Sequence, residues 1–323
     1  MRNATSLLPG VVPAVAALLL LTACGAEHAG VFGAGGSGST AGSGAGSTAG
    51  AGSAVPVDEP PMDGVRITSV TIPTATPSPT PSDHLVHADP LPAADSGISA
   101  TYEVTNNGGR ALTYTVLFDF TTDSGAVMGN HSETMRSVAP GATKRGTVRL
   151  GALAPGSSQI SRIKVAQVTR VPAAEAPPAP GVCPPSGIRL TNDDGDAAMG
   201  LRVVGLRLEN CGKRDYALDG YPRLELLDDD LAPVHGVQIF HGSGGISTGS
   251  GFDDPARPLV LKPGQSAVSG LMWRNLTEYG TAVNVPYVRV RAKEGAAPVT
   301  VTPHLDLGTT GKLAVRAWTR EAS

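Results

Sequence analysis

From Val65 onward, apolar and polar side chains of this chain alternate in short bursts, the period of half-buried strands rather than of helices. "VRITSVTI", "SATYEVTN" and "LTYTVLFDFT" alternate or run β-rich between residues 65 and 121. "APGATKRGTVRL" is a Pro-Gly turn running into a strand, and "SRIKVAQVTRV" closes the set before Pro172. A second series follows: "GIRLTN", "LRVVGLRLEN", "RLELLD", "GVQIF", "PLVL", "SAVSGLMW", "YVRVRA", "VTVTPHL" and "LAVRAW". No stretch holds a 3.6-residue period. Short strands with turn signals about every 8–12 residues predict antiparallel sandwiches. The expected fold class is all-β: two tandem immunoglobulin-like antiparallel β-sandwiches over 63–172 and 181–323.

The residues outside those units carry other patterns. One positive side chain, Arg2, precedes the uncharged run Leu7–Leu21, which ends in small residues at Thr22-Ala23-Cys24. That order describes a secretory signal peptide over 1–23. The apolar run is about 15 residues long, short of the roughly 20 needed to span a bilayer. Leu21–Cys24 resembles the bacterial lipoprotein signal motif. The resemblance implies cleavage before Cys24 and acylation of its sulfur, hence membrane attachment through an N-terminal lipid on the extracytoplasmic face. Residues 24–62, mostly Gly, Ser, Ala and Thr, lack the apolar side chains that would offset ordering entropy and read as a disordered tether. Such a tether has an r.m.s. reach of about 34 Å. Pro73–Ser96 reads as a long surface loop, and "AAEAPPAP" (173–180) as a short, stiff linker.

The two units echo each other. "VTNNGGR" (104–110) matches "LENCGKR" (208–214), and "VAPGATKRGTV" (138–148) matches "LKPGQSAVSGL" (261–271). Each pair is a strand ending in Asn-x-Gly and, later, a strand that starts after Pro-Gly, as two copies of one plan would give. The Asn-x-Gly positions suit a turn with positive φ, and Pro-Gly suits the centre of a type II turn.

Composition narrows the function. Of 323 residues 41% are hydrophobic, enough for folded cores, and the net charge of −3 gives no reason to expect a nucleic-acid partner. Three cysteines are present, Cys24, Cys183 and Cys211. In an exported chain the last two are expected to pair as a disulfide, while a metal site would need more ligands than they offer. "CPPSGIRLT", "DAAMGLR", "LENCGKRDYALDGYPRLELLD", "LVLKPGQSAVSGLMW" and "HLDLGTTGKLAVRAW" resemble the actinobacterial DUF4232 domain over roughly 181–320. The family's marks fall on Cys183, Asn210 with Gly212, Gly220-Tyr221-Pro222, and Pro263-Gly264 with Trp273. Many members place the second cysteine just before the Gly-Tyr-Pro strand, and here it stands earlier, at Cys211. The resemblance implies a β-sandwich, common in secreted and lipid-anchored proteins, with no catalytic residues. The first unit is similar, more weakly, to small Ig-like accessory domains of envelope proteins.

Motifs for chemistry are sparse. "GISTG" (245–249) fits G-x-S-x-G with Ser247 as nucleophile, followed by Asp253, Asp254 and His304, but no helical pattern follows to form the elbow that the motif requires. "GTTGKL" lacks the first Gly of a phosphate loop and has Leu313 where Mg²⁺ binding needs Ser or Thr. "NDDGDAA" lacks the Gly and Glu of a calcium loop and reads as a solvated turn, and Asp228–Asp230 as a hairpin tip. His84, His87, His235 and His241 lack the spacing of a metal site, and Trp273 and Trp318 read as core anchors. No cofactor and no metal are expected. The expected function is a non-catalytic binding or structural module at the cell envelope, its partner an envelope protein, a glycan or a small molecule. Its contact surface is expected in the loop 241–258, through His241, Ser243, Ser247, Thr248, Ser250, Phe252, Asp253 and Asp254, because sandwich scaffolds carry function on loops. The alternatives are a solute-capturing or sensory lipoprotein and, behind it, a serine hydrolase using Ser247.

Overall fold

The computed structural model describes residues 53–73, 95–154 and 156–321. The signal peptide, Cys24, most of the tether and residues 74–94 of the Pro-rich loop lie outside them. Every regular element among the described residues is a β-strand.

The N-terminal half contributes β1 (Ala54–Pro56), β2 (Val65–Thr71), β3 (Asp95–Thr105), β4 (Leu112–Thr121), β5 (Val127–Val138), β6 (Thr143–Gly151) and β7 (Arg162–Pro172). They form two antiparallel sheets, ordered β1-β2-β3-β6 and β5-β4-β7. The alternation read from the sequence sets which side chains turn inward. Ile98, Ala100, Tyr102 and Val104 of β3 and Tyr114, Val116, Phe118 and Phe120 of β4 are buried and share one core. Tyr102 and Phe118 meet across it with ring centroids 4.8 Å apart. Each large apolar side chain among them, such as Phe118 or Phe120, contributes roughly 1.5–3 kcal/mol when fully buried. The last part of the expected tether is folded: Ala54–Pro56 pairs with β2, and Val57 packs on the core.

The C-terminal half is built from shorter strands. They are β8 (Ile188–Asn192), β9 (Asp196–Ala198), β10 (Leu201–Asn210), β11 (Tyr216–Leu218), β12 (Arg223–Leu227), β13 (Gln238–His241), β14 (Leu259–Leu261), β15 (Ser266–Arg274), β16 (Asn284–Val285), β17 (Tyr287–Arg291), β18 (Val299–Val301), β19 (Leu305–Asp306), β20 (Lys312–Val315) and β21 (Thr319–Arg320). The largest sheet runs β13-β20-β15-β10-β8, with β9 and β21 attached. Opposite it lie the pairs β11-β14 and β16-β19 and the sheet β12-β17-β18, and a common core holds Leu208, Leu218, Leu271, Val290, Trp273 and Trp318. Both tryptophans are 2% exposed, as core anchors should be. Cys183 and Cys211 form a disulfide, with Cα atoms 5.7 Å apart, joining the entrance of this half to the end of β10. One pair departs from the expected antiparallel order: β13 lies parallel to β20. Residues 228–237 carry the chain away from β12 to the edge of the other sheet, so β13 arrives as a crossover and not as a hairpin.

The internal echo is a structural repeat. The side-chain amide of Asn106 donates to the carbonyls of Arg110 and Val138, both at 2.8 Å, and Asn210 donates to Arg214 and Leu261, again at 2.8 Å. The Asn106 carbonyl accepts the Gly141 N–H, and the Asn210 carbonyl accepts that of Gly264. The two asparagines are buried. The Pro-Gly glycines take positive φ, 70° and 83°, as expected. The Asn-x-Gly glycines do not: Gly108 and Gly212 instead donate to the side-chain oxygens of Asn106 and Asn210. Space at 212 is tight as well, since a Cβ there would lie 3.1 Å from the Cα of Gly187. Through this repeat β2, β3 and β6 correspond to β8, β10 and β15. β4 corresponds to β11 and β12 together, and β7 to β17.

The halves are tied at the linker. Val171, Leu227 and Tyr287 form a small shared cluster, and the Arg170 N–H donates to the Tyr287 hydroxyl. The stretch 173–180, expected as a spacer, is docked. The Glu175 carboxylate accepts from Arg289 Nε at 2.8 Å and from Thr300 Oγ1 at 2.7 Å, and its carbonyl accepts the Thr300 N–H.

Candidate binding groove

The loop 241–258 folds onto its own sheet. Phe252 is 4% exposed and packs with Ile246 against Met272 and Ala314, on the face of the large sheet away from the main core. Gly270 of β15 leaves room for the ring, for a Cβ there would stand 3.1 Å from it. Ser243 is buried, and its N–H donates to Asp253 Oδ1 at 2.8 Å; these bonds from Ser243 hold the Asp253 carboxyl below its ordinary pKa. Asp254 lies 3.5 Å from Arg316. Ser247 is half-exposed, and Thr248 and Ser250 are exposed. Phe252, Ser243 and Asp253 thus hold the loop down rather than reaching outward.

The serine constellation is not assembled. His304 lies against Gln167 of the N-terminal half, its ring nitrogen 3.0 Å from the amide, and burial lowers its pKa. Among the described residues no hydrogen bond joins Ser247 to His304, Asp253 or Asp254. Asp193 Oδ1 accepts the N–H groups of Gly195 and Gly205, which makes "NDDGDAA" a closed turn, and the described residues contain no cluster of three or more His, Cys, Asp or Glu placed to hold a metal.

His241 alone of the expected loop residues borders a large groove, of about 890 Å³. The groove opens where β11 gives way to β12. Gly220, with φ of 74°, turns the chain between them, and Tyr221-Pro222 follows. Tyr221 stacks on His241 with centroids 4.1 Å apart and planes 5° from parallel. Ile239, Leu259 and Val260 complete the apolar wall, and Ile239 and Val260 are exposed. Three of the charges at the rim, Lys293, Arg223 and Glu294, are engaged. Lys293 donates to the Ala217 carbonyl at 2.8 Å and sits 4.3 Å from the centre of the Tyr216 ring, and Arg223 bonds Glu294 at 2.8 Å. Burial raises the Tyr216 pKa.

Such a surface can hold an apolar or flat group against the Tyr221–His241 stack and offer peptide groups at its edges. Sequence reasoning marked Gly220-Tyr221-Pro222 only as a family feature and missed Ile239 and Val260. The one signal was the Gly-x-Pro interruption of a strand pattern.

Comparison with curated proteins finds no match for the chain. The family model of a domain of unknown function, DUF4232, matches residues 183–319. The half that carries the disulfide, the buried Asn210 and the groove therefore holds a DUF4232 domain, from Cys183 to Thr319.

Proposed function

We propose that this protein is a non-catalytic binding module, anchored through lipidated Cys24 on the extracytoplasmic side of the membrane, with two tandem immunoglobulin-like sandwiches raised on a flexible tether. The groove at Tyr221 and His241 is the observation that carries the reading. It is concave and mostly apolar, with a few polar groups at fixed places, which is the make-up of a recognition site. The disulfide fits an oxidising compartment. Two sheets around one core in the N-terminal half, and the same Asn clamp in both halves, support the tandem arrangement.

Two measurements test it. Cys24→Ala moves the protein from the membrane fraction to the soluble one; retention in the membrane refutes the anchor. A photo-crosslinking residue at Val260, in intact cells, gives a discrete adduct that is absent when the same residue replaces the remote, exposed Lys144. Equal labelling at both positions refutes the groove as the binding surface.

A further inference from the structure

The repeat between the halves shows what the groove lacks. In the N-terminal half β4 is paired along its whole length by β5, from Leu112↔Val138 to Thr121↔Val127. In the C-terminal half the matching ladder, β11 with β14, stops after three pairs, at Leu218↔Leu259. Pro258 stands at the next position and has no N–H to continue it. β12, which follows β11 after Gly220, is paired by β17 on one edge. On the other edge the Val234 N–H donates to the Leu226 carbonyl, so Leu226 points its peptide groups away from β17. Peptide groups alternate along a strand. Leu224 therefore points the same way, and among the described residues nothing bonds to it there. Leu224 lines the groove. The register places a second free edge beside it: Gln238 donates to Gly311 on the β20 side, so Ile239 and His241 of β13 turn their peptide groups outward.

We propose that the groove takes an extended peptide segment of another protein as an added antiparallel strand on the free edge of β12, in the position that β5 holds beside β4. The proposal rests on the binding reading above and names its partner class. The bound segment would continue the β11-β14 ladder, gaining main-chain bonds at Leu224 while alternate side chains enter the groove. Charge defines it further. Lys293, Arg223 and Glu294 are already engaged, so the segment is apolar at their level. Asp219, on the rim, is exposed and has no hydrogen-bond partner among the described residues, which calls for one Lys or Arg at that end of the segment.

The test uses the full chain and a phage-displayed library of random peptides about 10 residues long, near the upper length of a single strand. Selected peptides are synthesised with single backbone N-methyl groups moved along the sequence, which removes one donor at a time and leaves the protein unaltered. The expected result is a loss of roughly tenfold or more in affinity at alternate positions and less than about threefold at those between. Slowed hydrogen exchange of the Leu224 amide accompanies it, and Tyr221→Ala weakens binding. Loss without alternation overturns strand addition, and protection of Ile239 and His241 in place of Leu224 overturns the β12 edge. If no peptide is enriched while a soluble glycan fragment such as chitohexaose slows exchange around Tyr221, the peptide class is wrong and the binding reading stands. Selected peptides that are indifferent to Tyr221→Ala and protect nothing near the groove overturn both.

Discussion

Two buried asparagines do the same work in both halves. Asn106 and Asn210 each satisfy two carbonyls and one glycine N–H that would otherwise be closed off from water. Truncation to Ala leaves those groups unpaired, and an unpaired buried group costs about 1–3 kcal/mol. Asn210→Ala is expected to lower stability by about 2–4 kcal/mol in urea unfolding, and Asn106→Ala by a similar amount. Asp306 is a second focal residue. Burial pushes its pKa up, but hydrogen bonds from Arg202 and Trp273, with the Arg202 charge, outweigh that and leave it below the ordinary value of 3.8. Folding therefore favours the ionised form. This stabilisation is complete above the unfolded pKa near 3.8 and is lost as pH falls through the lower folded value. Wild type is expected to exceed Asp306→Asn in urea midpoint at pH 7, and the gap to close below that range.

Elements differ in how far local chemistry fixes them. β3 reads directly from its alternation, because one face meets the core and the other is only partly covered, whereas β4 reads as a β-rich run, none of whose residues is exposed. The separate partners of β11 and β12, which are β14 and β17, could not be read from sequence, since "DYALDGYPRLELL" gives no sign that the chain changes partner across Gly220. The Cys183–Cys211 bridge, in contrast, was legible from the count of cysteines and the expected compartment, and it closes a loop with a sequence separation of 28. Closing a loop of that size stabilises by about 3.5 kcal/mol in the chain-entropy account. The paired change Cys183→Ala with Cys211→Ala is expected to lower unfolding free energy by about that amount, with the strand content seen by circular dichroism kept at room temperature. The loop 241–258 shows the opposite case. Its Gly/Ser composition reads as an open tip, but Phe252 and Ile246 pin it to the sheet, and a lone buried Phe in such a stretch has no periodic context to reveal it.

At the scale of the molecule, Glu175 links the halves. Its carboxylate joins Arg289 and Thr300, and Arg289 also holds Glu225 at 2.8 Å. Arg289 and Glu175 side chains are 15% and 19% exposed, so solvent screens the pair only partly. Glu175→Ala is expected to weaken the coupling by about 1–3 kcal/mol and to split one calorimetric transition into two. A single unchanged transition would show that the apolar contacts of Val171, Leu227 and Tyr287 suffice. The groove is also a property of this scale, because it lies between the edge strands β12 and β14 of two smaller sheets and β13 of the largest.

The sequence by itself determined the β class, the inward faces of the long strands, the paired cysteines and the internal repeat. All of these follow from local periodicity, from residue type or from self-similarity, which need no knowledge of what lies across the core. The tertiary structure alone decided that the linker docks, that β13 runs parallel, that the Gly/Ser loop is plugged by Phe252, and that Tyr221 meets His241 where an edge of β12 is left open. Those features depend on contacts between residues distant along the chain, and a free strand edge is defined by the neighbour that the fold does not supply.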